Sequence, residues 1–362
     1  QFGDENVFDF SLGNPDPEPP KECLEYMKEI ADLPKVHGYM ANAGFTQVRE
    51  QVASQLKKET NLELTANHII MTVGAGGALN VVLKTIINPG DEVIVLAPFF
   101  AEYTFYCDNH QAKVVIVETT KDTFQPDVEQ IRNAITNKTK AIIVNTPNNP
   151  TGVAYTQEKL NEMAKVLEEK EKEFGTTIYV LSDEPYRKIA YDNIKLPSVI
   201  ATFKHGIMID SFSKSLSLPG ERIGYIATNP NINNVEELVA GLIFSNRVLG
   251  YVNAPAMAQL VVGKFIDTQV DTSIYEERRN VLYQIITEAG FECVKPEGAF
   301  YLFPKSPIPD DVEFTKAAIK HNLVLVPGTG FRRPGYFRIA YCVSMDTIKN
   351  SKKAFEALAK EF

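Results

Sequence analysis

The sequence predicts an α/β fold: a mostly parallel central sheet flanked by helices, joined to a smaller α+β unit. Three observations predict it. Short, β-branched apolar runs recur through the middle of the chain. Charge-rich segments with helical apolar spacing separate several of them. After about residue 250 that alternation stops, and long helical stretches give way to short strands. Alternating strand and helix is the pattern of a parallel sheet covered on both faces.

The strand-like runs, in order, are EVIVLAP from Glu92, KVVIVET from Lys113, KAIIVNT from Lys140, TIYVLSD from Thr177, GIMIDSF from Gly206 and IGYIATN from Ile223. The clearest intervening helix is TQEKLNEMAKVLEEKEKEF. Its apolar spacing is helical, although Thr156 and Lys159 do not make a full capping box. Helices are expected between Asn253 and Gly290 and over EFTKAAIKHN, with strands at LVLVPG and YFRIAYC. A large domain is therefore expected over residues 40–250. The Pro-rich N-terminal arm, residues 1–39, is expected to pack with residues 251–362 as the small domain.

Composition narrows the function. A chain of 362 residues that is 44% hydrophobic and 23% charged suits a globular protein with room for two units. A formal net charge of -9 argues against nucleic acid or an anionic membrane as partner. Four cysteines, Cys23, Cys107, Cys293 and Cys342, lie far apart with no CxxC spacing, which reads as free thiols in a reducing, cytoplasmic setting. Five scattered histidines offer no metal-binding pair. No apolar run approaches the roughly 20 residues of a membrane span, and no signal peptide is visible within the sequence, which opens on Gln1 rather than Met.

Chemistry gathers at the predicted strand ends, where open parallel sheets bind ligands. Just past them stand Asn149 in NTPNNPTG, Asp183 and Tyr186 in SDEPY, and Ser211, Ser213 and Lys214 in DSFSKS. Upstream, the Gly-rich turn GAGG (Gly74 to Gly77) directly precedes a helix and offers backbone N–H groups to a phosphate. It has neither the GxGxxG spacing of a dinucleotide fold nor the GK[ST] of a P-loop. Arg222 supplies a bidentate clamp, and the two serine hydroxyls supply further donors. An aspartate facing a pyridine nitrogen and a lysine able to form a Schiff base complete the set that pyridoxal 5'-phosphate (PLP) requires. Each residue also has a plainer reading: Asp183 as a helix cap, Asn149 as a turn residue, either Phe99 or Phe100 as core.

The ordered series Tyr39…Gly44, TVGAGGAL, PGDEVIV, APFFAEY, NTPNNPTG, SDEPY, SFSKSLSLPGERIGY, PEGAFY, VPG and YFRIAY resembles the class I/II aminotransferases over nearly the whole chain. These are fold-type-I, PLP-dependent enzymes. The resemblance implies that Lys214 is the Schiff-base lysine, with Asp183 on the pyridine nitrogen and Tyr186 and Asn149 on the ring's phenolic oxygen. It places the amides near Ala75 and Gly76, with Ser211, Ser213 and Arg222, on the phosphate, and Phe100 against the ring. Arg338 would grip the substrate α-carboxylate, with Gly13 lining the same pocket. Tyr39 would reach the phosphate of a neighbouring subunit in a homodimer, and Arg247 would meet an acidic substrate from the partner. The implied activity moves an amino group from an L-amino acid, aspartate favoured, to a 2-oxo acid such as 2-oxoglutarate. Alternatives are a PLP-dependent C–S β-lyase, an aromatic or branched-chain aminotransferase and, outside enzymes, the ligand-sensing domain of a regulator. Two departures stand out. The GAGG turn lacks the serine or threonine some relatives carry, and the ring-facing residue is phenylalanine rather than tryptophan or tyrosine.

Overall fold

The computed structural model describes residues 7–362. The central sheet has seven strands in the order β2-β8-β7-β6-β5-β3-β4. In chain order these are β2 (Ile69–Thr72), β3 (Glu92–Ala97), β4 (Lys113–Glu118), β5 (Thr139–Asn145), β6 (Tyr179–Asp183), β7 (Gly206–Ser211) and β8 (Gly224–Thr228); β1 (Phe8–Asp9) lies elsewhere. Each apolar run expected to be a strand is one. β8 runs antiparallel to both of its neighbours, β7 and β2, so the sheet is mixed. The sequence reading also passed over β2, whose four apolar residues merge directly into the Gly-rich turn.

Side chains alternate between the two faces, as the pleat requires. Val93, Val95, Ala141 and Ile143 pack with the helix Gly74–Ile86 on one face. Ile94, Leu96, Ile142 and Val144 pack with Leu160, Met163, Val166 and Leu167 of the helix Gln157–Phe174 on the other. Thr156 does cap that second helix, accepting a hydrogen bond from the Lys159 amide at 3.2 Å. The helix ends at Gly175 in the left-handed conformation that glycine tolerates best.

A separate core gathers the three-stranded antiparallel sheet β11 (Val326–Pro327), β12 (Phe337–Ala340) and β9 (Tyr301–Leu302). It packs with the helices Ser273–Glu288 and Asp311–Ile319 and with Phe10 of the N-terminal arm. That arm is tied in by β1, which pairs in parallel with β10 (Leu323–Val324). The helices Lys21–Ala31 and Ala256–Lys264 pack differently. Cys23, Ile30, Ala258, Val261 and Val262 share a core with Ile69, Met71 and Tyr225 beside the large sheet. We propose a two-unit division that follows these cores, with both helices on the large side of a boundary near residue 270.

A buried ionic cluster fixes the end of β7. Asp210 accepts from Tyr225 Oη at 2.8 Å and lies 3.4 Å from the Arg187 guanidinium, which also meets Glu59 and lies 3.7 Å from Glu184. Burial raises the pKa values of Asp210 and Glu184, with Arg187 opposing. Removing one partner of such a cluster strands the others. Arg187→Ala is therefore expected to lower stability by about 3–5 kcal/mol, read as the midpoint of urea unfolding. An unchanged midpoint would show that the cluster contributes nothing.

Candidate active site

The strand ends expected to carry chemistry converge on one cavity of about 410 Å³. Gly13, Ala75, Gly76, Phe100, Asn149, Asp183, Tyr186, Ser211, Ser213, Lys214, Arg222 and Arg338 all line it. Tyr39 and Arg247 do not: Tyr39 is 95% exposed, and Arg247 is exposed at the end of the helix Val235–Val248. A larger cleft of about 700 Å³, bordered by Glu118, Arg333 and Tyr336, contains none of these residues.

Asp183, the last residue of β6, forms the floor. Oδ2 accepts a hydrogen bond from Tyr103 Oη at 2.5 Å, while the buried Oδ1 has no partner among the described residues. Burial raises the carboxyl's pKa to about 7; the Tyr103 hydrogen bond opposes this and Asp210 adds to it. Tyr103 is one functional residue that sequence reading missed. It sits in the helix Glu102–Asp108 among apolar neighbours and reads there as core.

Lys214 follows β7 in the short helix Phe212–Ser215. Its amine donates to the Gly13 carbonyl at 2.6 Å and lies 5.4 Å from the centre of the Phe300 ring. Burial lowers its pKa to about 8; Cys342 opposes, and Arg222 and Arg338 assist. About a tenth of the amine is therefore neutral at pH 7, far more than at the ordinary value of 10.5, which suits a proton-transfer base.

The end of the cavity beside the Gly-rich turn is bordered by backbone and by Arg222. The first turn of the helix Gly74–Ile86 has no side-chain cap and no acidic residue, so its N–H groups face the cavity without a competing anion. Gly74 has φ of +67°, and a Cβ there would lie 2.8 Å from Arg222 Nη2. The guanidinium thus packs directly on the turn, at the open rim. Asn149 is held by its own amide, which donates to Asn145 Oδ1 at 2.7 Å. Asn145 in turn donates to the Asp183 carbonyl at 2.8 Å. Of the two phenylalanines, Phe100 borders the cavity and Phe99 is buried in the core.

Arg338 approaches from β12. It donates to Asn149 Oδ1 at 3.1 Å and to the Ser11 carbonyl at 2.6 Å. Its guanidinium lies 4.5 Å and 4.8 Å from the Tyr301 and Phe331 ring centres, and its buried Nε has no partner among the described residues. Tyr301, also not foreseen, shares a 2.8 Å hydrogen bond with Tyr186. A Cβ on Gly13 would lie 2.1 Å from Tyr301 Oη, so only glycine fits there.

The profile of the family described as "Aminotransferase class I and II" matches residues 5–355. The chain belongs to the class I and II aminotransferases. It is 32% identical to a probable aspartate aminotransferase of Methanocaldococcus jannaschii, covering 97% of this chain and 94% of the relative. It is 31% identical to an aromatic-amino-acid aminotransferase of Thermococcus litoralis, covering 99% and 93%. Among solved structures, an amino transferase from Eubacterium rectale superposes with a TM-score of 0.97 at 36% identity, covering 99% of this chain and 92% of that one. The protein is thus an enzyme of the aminotransferase class, whose members generally depend on PLP.

The lone carboxylate makes a stability prediction with a definite sign. An aspartate unfolded near its ordinary 3.8 and folded at about 7 binds more protons in the folded state between those values, so stability is lost as pH rises through 7. In cofactor-free protein, Asp183→Asn keeps an oxygen for Tyr103 and removes the buried charge. It is expected to gain roughly 2–4 kcal/mol over wild type at pH 8 and little at pH 4. Equal stability of the two proteins at pH 8 would mean that Asp183 is not strained by burial.

Proposed function

We propose that this cavity holds PLP and that the enzyme moves an amino group between an α-amino acid and a 2-oxo acid. The observation that carries this reading is the buried, unpartnered Asp183 Oδ1 in the same cavity as Lys214. A cationic ring N–H supplies the missing partner, and a buried carboxylate without one is otherwise unexplained. The bare first turn of the helix Gly74–Ile86 fits a phosphate for the same reason.

When bound, the cofactor supplies an electron-withdrawing ring that acidifies the Cα–H of an attached amino acid. Asp183 accepts the ring N–H, while Tyr186 and Asn149 donate to the ring's phenolic oxygen. The amides of Ala75 and Gly76, with Ser211, Ser213 and Arg222, hold the phosphate, and Phe100 covers the ring. Arg338 takes the substrate α-carboxylate, exchanging its neutral carbonyl partners for a charged, bidentate one. Lys214, freed from Gly13, takes the proton from Cα.

The donor is read as aspartate, following the names of several relatives. A second reading, an aromatic donor, has its own support. Phe100, Tyr103, Tyr106, Tyr186 and Tyr301 line the cavity. Among the described residues its only cations are Lys214, Arg222 and Arg338, all already assigned. An aspartate side chain therefore needs a cation from a second copy. We read the protein as a homodimer in which Tyr39 and Arg247 cross over. The exposure of Tyr39, and of Phe244 and Val248 on the helix that carries Arg247, supports such a face. Free cysteines support a cytoplasmic setting.

Lys214→Ala should abolish turnover and the visible absorbance of the bound cofactor; a variant retaining both overturns the assignment. With 2-oxoglutarate as acceptor, Arg247→Ala should lower kcat/KM for aspartate at least tenfold while leaving phenylalanine unchanged, the loss expected for one charged contact. Good rates with phenylalanine and none with aspartate would replace the first donor by the second.

A further inference from the structure

We propose that the phenol of Tyr106 is a further neutral hydroxyl donor at the phosphate end of the cavity, beside those of Ser211 and Ser213, and that residue 76 is glycine because this phenol fills the space of its side chain. The inference rests on the PLP reading above.

Tyr106 borders the cavity together with Ala75, Gly76 and Arg222. A Cβ built on Gly76 would lie 2.9 Å from Tyr106 Oη, and only the Cζ behind it, at 3.6 Å, falls within ordinary contact. The phenol oxygen is thus pressed against the first turn of the helix Gly74–Ile86. On the other side of that turn, Arg222 Nη2 stands 2.8 Å from the position of a Cβ on Gly74. A neutral donor and a cation therefore flank the same set of free amides, with no carboxylate in the turn to compete for them.

Among the described residues, the Tyr106 hydroxyl has no hydrogen-bond partner; only burial and through-space charge act on it. Burial raises its pKa, with Glu102 and Asp183 adding and Arg222 opposing, so the group stays protonated and able to donate. The spacing from Tyr103 to Tyr106 puts two phenols of one helix on one face. The first serves Asp183, and the second serves the turn. The missing serine or threonine of the GAGG turn is in this way replaced from a different element.

Gly76 lies within the helix and has no positive φ, so its backbone accepts a serine; the obstacle is the phenol oxygen alone. This makes the proposal testable as a pairwise exchange. Dissociation constants of PLP and of pyridoxal, which lacks the phosphate, are measured on the cofactor-free dimer or monomer by quenching of tyrosine fluorescence. Melting temperatures are recorded for each variant.

Tyr106→Phe is expected to weaken PLP about tenfold, the scale of one hydrogen bond to a charged group, and to leave pyridoxal unchanged. Gly76→Ser alone is expected to lower the melting temperature, because its Cβ meets Tyr106 Oη. The double variant Y106F/G76S is expected to regain most of the PLP affinity and the melting temperature, since the serine enters the space the phenol leaves. Wild-type PLP affinity in Y106F overturns the proposal. So does an equal loss for PLP and pyridoxal, which marks a merely structural role, and so does a double variant no better than the worse single one. Should the wild-type protein itself fail to bind PLP, the cofactor reading falls and this inference falls with it.

Discussion

An ionisable carboxylate at the bottom of a cavity, bonded on one oxygen and bare on the other, is the constraint on which the rest of this site depends. Asp183 sits at the end of β6 between parallel neighbours, in register with Asn145 of β5 and Ile209 of β7. Water would satisfy Oδ1 at the surface; here burial withholds it, and the group is driven towards neutrality. Tyr103 prevents the carboxylate from rotating to satisfy both oxygens elsewhere. The protein therefore tolerates a local conflict that no apolar substitution would create, which is the mark of a site selected for binding rather than stability.

The lysine's position follows from the reversal of β8. Between Ser211 and Gly224, which pair directly, the chain makes an excursion carrying Ser213, Lys214, Pro219 and Arg222. Had β8 followed in parallel, a crossover would have carried Arg222 to the far end of the sheet. The antiparallel return brings it back to the rim where Lys214 leaves. Close packing enforces the return: a Cβ on Gly224 would lie 2.5 Å from the Asp210 carbonyl and 2.9 Å from Gly74. The Gly-rich turn, β7 and β8 thus meet with no room for a side chain, and Arg222 adopts a left-handed conformation (φ 49°) to point its guanidinium back across Gly74.

Much of this was legible in the sequence because the signals were local. Buried parallel strands need continuous β-branched runs, and EVIVLA or KAIIVN can hardly be read otherwise. Residues at strand ends were legible because the sheet's own topology gathers them. What escaped depended on non-local packing. Tyr103 and Tyr106 look like any aromatic pair at helical spacing, and only the approach of β6 and of the Gly-rich turn gives their hydroxyls a use. Tyr301 lies in a region read as small-domain core, and its contact with Gly13 joins segments at opposite ends of the sequence. β2 was hidden because IIMT runs without a break into the helix it feeds. The helices Lys21–Ala31 and Ala256–Lys264 carry no sequence mark of which core they join: the first is amphipathic and the second largely apolar, and neither pattern names a partner.

Arg338 shows how the two cores are linked through the site. It is anchored in β12 of the small sheet, yet its partners are Asn149, which follows β5 of the large sheet, and Ser11 of the N-terminal arm. Tyr301 and Phe331 fix its plane, so the guanidinium loses little freedom when it turns its donors to a new acceptor. Replacing two neutral carbonyl acceptors by a carboxylate strengthens each bond and lets the Ser11 carbonyl go. The N-terminal arm also meets the site through the Gly13 carbonyl, which accepts from Lys214. In the proposed reaction the cofactor would claim the Lys214 amine and the substrate carboxylate would claim Arg338, so the two tethers would be given up to different ligands. Under the proposed function, ligand binding and the position of residues 11–13 would in this way be coupled through the same two cations.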